Sequence, residues 1–144
     1  MRILALDVAT KTGFACSTGS GVWDLSPKRD ESKGMRLIRF KAKLVEILTS
    51  ENIQLVCFER SAGRHQNAVI VQSELHGVLK TVCEEMGVEY KAYSASEIKR
   101  FATGKGNANK KMMIESAQKY GIEIEDDNHA DALHIYHLAK QDLG

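Results

Sequence analysis

The sequence predicts an α/β fold: a mixed five-stranded sheet with helices on both faces. Three observations lead there. The first 25 residues carry three short apolar runs separated only by turn residues, the pattern of an antiparallel meander. Two later apolar runs, residues 54–59 and 88–93, each follow a long stretch of helical periodicity, and a strand reached through a helix joins its sheet by a right-handed crossover. The remainder reads as helix, which leaves cover for the second face of the sheet.

Residues 2–8 form the first strand, a nearly continuous apolar run that implies burial on both faces, closed by turn chemistry at Ala9-Thr10-Lys11-Thr12-Gly13. Residues 13–17 and 21–25 pair through the Ser-Thr-Gly-Ser-Gly segment as a hairpin, and Pro27 ends the meander. A helix of about 20 residues follows, with Leu37, Phe40, Leu44 and Leu48 on one face and Arg36, Arg39 and Lys43 on the other. After the fourth strand and Ser61-Ala62-Gly63, a second helix runs to about Met86 with Val71, Leu75, Val78 and Val82 in its stripe. Gly87 stands where a left-handed cap belongs. The fifth strand leads to a short helix capped by Ser94 or Ser96, a loop at residues 103–107, and a helix from about Asn109 to Tyr120. An acidic loop then precedes a final helix from about Asn128 to Gln141. No repeat, linker or low-complexity tract interrupts the chain, which reads as one domain over residues 1–144.

Hydrophobic residues are 43% and charged residues 27% of the chain, an ordinary globular balance. The three cysteines, Cys16, Cys57 and Cys83, are far apart and sit in apolar elements, which points to buried free thiols in a reducing cytoplasm. No window approaches the roughly 18 apolar residues of a membrane span. The net charge of +1 hides a segregation. Residues 91–111 carry Lys91, Lys99, Arg100, Lys105, Lys110 and Lys111 against Glu97, whereas residues 121–131 carry five acids and no base. A basic surface beside an acidic, cation-binding centre suits an enzyme that cuts phosphodiesters.

Asp7 drives that reading. It ends a buried strand, where an unpaired acid costs several kcal/mol unless it holds a cation or a partner. Glu59 ends the fourth strand in the same way, and Asp131 opens the last helix. Three carboxylates without a lysine among them suggest magnesium, and a pair of ions roughly 4 Å apart can activate water and stabilise the leaving oxygen. Asp127 and Asn128 stand four and three residues before Asp131, so either shares its helix face; Asp126 reads as a capping residue. His129 lies beside this centre and is a candidate phosphate contact. His134 and His137 are three apart with no third ligand evident, which argues against zinc.

Five segments together carry a resemblance: Leu6-Asp7-Val8-Ala9-Thr10-Lys11-Thr12-Gly13; Phe58-Glu59; Gln72-Ser73-Glu74-Leu75-His76-Gly77; Gly104-Lys105-Gly106-Asn107-Ala108-Asn109-Lys110; and His129-Ala130-Asp131-Ala132-Leu133. In this order they resemble the RuvC-type Holliday-junction resolvases, above all the small phage-encoded branch, over nearly the whole chain. The element order is that of the ribonuclease H-like superfamily, with strands in the order 3-2-1-4-5, which would set Asp7 beside Glu59. The resemblance implies a crossover junction endodeoxyribonuclease: a homodimer that resolves four-way DNA junctions by paired, magnesium-dependent cleavage in the cytoplasm of a bacterial or phage-infected cell. Metal ligands would be Asp7, Glu59, Asn128 and Asp131, with two Mg2+ per site and Mn2+ an alternative. Lys110 joins the acids as a catalytic candidate, and the DNA-facing cations are Lys99, Lys105, Lys110, Lys111, Arg60 and Arg64. Asn128 stands where the family usually has an aspartate or histidine, and Ala62 where bacterial members tend to carry an aromatic wedge. Three other readings stay open: a flap or fork nuclease, an RNA-processing nuclease similar to the YqgF group, and a catalytically weak junction-binding protein.

Overall fold

Alternation along two parallel strands decides the architecture, because each sends successive side chains to opposite faces and both faces are apolar. In the computed structural model, which describes residues 1–61 and 66–143, strands β1 (Ile3–Asp7), β2 (Lys11–Cys16), β3 (Gly19–Asp24), β4 (Leu55–Glu59) and β5 (Glu89–Tyr93) form one sheet in the order β3-β2-β1-β4-β5. The β1–β2 and β2–β3 pairs are antiparallel, β1–β4 and β4–β5 parallel. This is the order the sequence implies.

Leu4, Leu6, Val56 and Phe58 face helices α1 (Gly34–Ser50) and α2 (Gln66–Met86), where Phe40, Leu44, Leu75 and Leu79 are fully buried. Ile3, Ala5, Leu55 and Cys57 face the other way, onto α3 (Ala95–Thr103), α4 (Lys110–Ala117) and α5 (Asp127–Leu143). Helix ends follow local chemistry. Ser94 Oγ accepts from Glu97 N and Asn109 Oδ1 from Met112 N, while Gly87 and Gly104 take φ of +67° and +84°.

Several boundaries differ from the sequence reading, among them α5, which starts at Asp127 and runs to Leu143. The hairpin turn is only Ser17 and Thr18, so β3 starts at Gly19. The first turn also ends sooner, because the Thr12 hydroxyl donates to Ala9 O at 2.6 Å and accepts from Ala9 N at 3.2 Å, tightening residues 9–12 and freeing Gly13 to pair within β2. Helix α1 has 17 residues, not about 20. Helix α4 stops at Ala117, and a single 3₁₀ turn, Gln118–Tyr120, leads to Gly121. Of the thiols, Cys57 and Cys83 are buried, but Cys16, the last residue of β2, is only partly buried. Among the described residues no helix is long and apolar enough to cross a membrane.

Candidate active site

The register of β1 against β4 pairs Leu6 with Phe58, so the next residue on each parallel strand is an acid. Alternation sends Asp7 and Glu59 to the face covered by α5, which lies across β1 and β2. That helix comes close only because position 13 lacks a side chain: a Cβ on Gly13 would lie 1.9 Å from Asn128 O. Gly13 is thus a site-building residue whose signal was a glycine inside an apolar strand.

Helix α5 is fixed at its start by a histidine. His129 is 1% exposed; Glu125 N donates to its Nδ1 at 3.0 Å and its Nε2 meets Ser20 Oγ at 2.9 Å. Both ring nitrogens are therefore spent on anchoring the helix to β3 and the acidic loop. His129 is not a phosphate contact. Burial holds the ring below its ordinary pKa. Asp126 caps the helix as expected, accepting from His129 N at 2.8 Å.

These constraints gather four acids. Burial first, then the charges of Asp131 and Glu59, raises Asp7 well above the usual carboxylate range, with Asp127 adding to the same effect. Asp131 is pushed up to about 7 by burial, then by Glu59 and Asp127, while a hydrogen bond shared with Asp7 pulls the other way. Glu59 is raised by burial and partly relieved by Lys99. The Oδ1 atom of Asp131 is buried without a partner among the described residues. A closed cluster of three or more His, Cys, Asp or Glu side chains in metal-holding geometry does not occur among those residues. The acids stand near enough to repel one another, each with oxygen to offer. A hard divalent cation fits this donor set, for it would satisfy the orphaned oxygen and reverse the repulsion.

The cations fall around this centre unevenly. Lys99, on α3, is close enough to act on Glu59 and Asp131, and Lys110, at the start of α4, lies 3.6 Å from Asp127. Lys105 is exposed in the α3–α4 loop, and Lys111 turns to Glu115 at 3.9 Å. Arg60 follows Glu59 and is exposed; Arg64 and Ala62 lie outside the described residues. Lys91 pairs with Asp142, and Arg39 forks onto Glu31, so neither presents a free charge. Asn128 donates from its amide nitrogen to Lys11 O at 2.7 Å. His134 is fully buried and bonded to Ser116, Tyr120 and Met113, which accounts for it without zinc.

The family profile described as "Crossover junction endodeoxyribonuclease RuvC" matches residues 11–137. The chain belongs to the RuvC family. The match takes in Glu59 and Asp131 and starts just after Asp7. The fold agrees: a Thermus thermophilus RuvC structure superposes with a TM-score of 0.77 at 20% identity, covering 99% of this chain and 96% of that one. T. thermophilus RuvC in complex with a Holliday junction substrate gives 0.76 at 20% identity, over 94% and 90%. The yeast mitochondrial Holliday junction resolvase Ydc2 gives 0.63 at 14%, over 93% and 75%. No curated protein sequence matches the chain. RuvC enzymes as a family depend on divalent metal.

Proposed function

We propose that this protein is a magnesium-dependent endonuclease that resolves four-way DNA junctions, working as a homodimer whose two centres make paired cuts. The observation that carries the reading is the convergence of Asp7, Glu59, Asp127 and Asp131 at the strand ends of a RuvC fold, with Lys99 and Lys110 at its rim. Asp7, Glu59 and Asp131 would hold the metal, in a two-ion site. The metal, when bound, polarises the phosphodiester and activates water. Lys99 and Lys110 would bring positive charge to the phosphate, and Lys105, Lys111 and Arg60, with Arg64 by its place in the sequence, would extend that charge along the DNA. Asp127 supports the site better than Asn128 does: its charge is felt by Asp7 and Asp131, whereas the amide of Asn128 is tied to the strand.

The test is a panel of labelled four-way junction, flap, linear duplex and structured RNA, incubated with and without Mg2+. Symmetric junction cuts that need metal are expected. Preference for flap or RNA would move the protein to another substrate within the same chemistry, and tight junction binding with no cleavage in Mg2+ or Mn2+ would make it a scaffold.

A further inference from the structure

The sheet carries a cationic recess on the face turned away from the acids. Alternation along β4 sends Glu59 toward α5, so Phe58 and Arg60 point to the α2 side. There a cavity of about 370 Å³ is lined by Phe58, Arg60, Ser61, His76, Lys80 and Tyr90, together with Ala92. Its charged residues are two cations, Arg60 and Lys80, and no acid lines it among the described residues. His76 is only 8% exposed, its ring packs 4.9 Å from that of Phe58, and its Nε2 is buried with no hydrogen-bond partner among the described residues. A buried ring nitrogen left unpaired beside two cations, a hydroxyl and a phenol is a site built for an acceptor-rich anion.

We propose that this cavity binds a phosphate group other than the one being cut, held between Arg60 and Lys80 and completed by His76. The proposal rests on the nuclease reading only for its source. Arg60 immediately follows Glu59, so a strand crossing the ends of β1 and β4 reaches both faces of the sheet, and one of its backbone phosphates is the occupant. A free nucleotide offers the same chemistry. Burial and the charge of Lys80 hold His76 below its ordinary pKa, which places the lysine within electrostatic reach of the ring; a bound anion would offset it.

The experiment follows the ring resonances of His76 in the full chain, assigned by their absence from His76→Gln, in EDTA so that nothing is cut. Inorganic phosphate, a deoxynucleoside monophosphate and a four-way junction are titrated in turn into wild type and Lys80→Ala, whose site is exposed and whose fold should be unaffected. The expected result is that phosphate and junction both shift His76 in wild type and neither does so in Lys80→Ala. The variant should also lose about one unit of slope in log Kd against log salt for the junction. Shifts with phosphate and mononucleotide alone, with the junction slope unchanged, would assign the site to free nucleotides and overturn the DNA backbone as its occupant. A His76 ring that no phosphate compound moves, in protein that binds and cuts junctions, overturns the inference and leaves the nuclease reading standing. A ring that phosphate moves, in protein that neither binds nor cuts DNA, does the reverse.

Discussion

Replacing Asp131, the proposed metal ligand, should make the metal-free protein more stable. Asp131 is held at about 7 against an ordinary 3.8 by burial and by its acid neighbours, so at pH 8 the folded chain carries a charge there that the unfolded chain bears far more easily. The direction follows from the raised value: the favourable contribution is fully present below about pH 4 and is lost as pH rises through about 7. The difference converts to about 4 kcal/mol, or about half that if Asp7 shares the proton burden. In a chain of 144 residues this is on the order of 7–13 °C in Tm. Asp131→Asn keeps the shape and removes the charge. Thermal unfolding in EDTA should therefore show the variant melting above wild type at pH 8 and level with it near pH 4. Magnesium should raise wild type at pH 8 and leave the variant nearly unmoved, because ligand binding stabilises only the state that binds. A variant that melts below wild type at pH 8 in EDTA, or a gap that does not close on acidification, would refute the repulsion and with it the acid centre as drawn.

Other perturbations separate the roles around that centre. Asp7→Asn, Glu59→Gln and Asp131→Asn should each abolish junction cleavage while junction binding, measured by gel shift, stays near wild type, since the cations that hold the DNA are untouched. Asp127→Asn should raise the magnesium concentration needed for half-maximal cleavage, and Asn128→Asp, which also gives up the bond to Lys11 O, should not lower it; a requirement lowered by Asn128→Asp in metal titrations would make position 128 the ligand. Gly13→Ala should destabilise by roughly 1–3 kcal/mol in urea unfolding, because its Cβ meets Asn128 O and α5 must back away, and the metal requirement should rise with it. His129→Ala should weaken metal binding more than junction binding in parallel titrations, as expected of a positioning residue that touches neither. Changing Lys105, Lys110 and Lys111 together to Ala should flatten the salt dependence of junction affinity by about one unit for each phosphate no longer held; an unchanged slope would put the DNA elsewhere.

Much of this centre was legible because charge at the end of an apolar strand is conspicuous. Asp7 and Glu59 stand out against the residues before them, and the antiparallel-then-parallel order that makes them neighbours follows from hairpin spacing and helix length. What the sequence hid were approaches between distant segments. Gly13 reads as a glycine where a turn meets a strand until α5 is seen against it, and His129 reads as a phosphate contact beside the acids until Ser20, 109 residues away, takes its second nitrogen. The basic stretch misleads for the same reason: Lys91 and Lys99 are eight residues apart, yet one is neutralised by Asp142 at the C-terminal end of α5 and the other acts on Glu59.

Distant anchors also let α5 carry Asp127 and Asn128 side by side and use them differently. The helix begins at Asp127, and its first turn is fastened at three points: Asn128 donates to Lys11 O, His129 meets Ser20 Oγ, and Asp126 accepts from His129 N. With Asn128 committed to β2, the residue one place earlier is left to turn toward Asp131 and Lys110. Position in the motif is then less informative than the anchor. A chain with an acid at 128 would have to give up the amide bond to Lys11 to use it, whereas here that bond sets the helix down on Gly13 and leaves Asp127 beside the other acids.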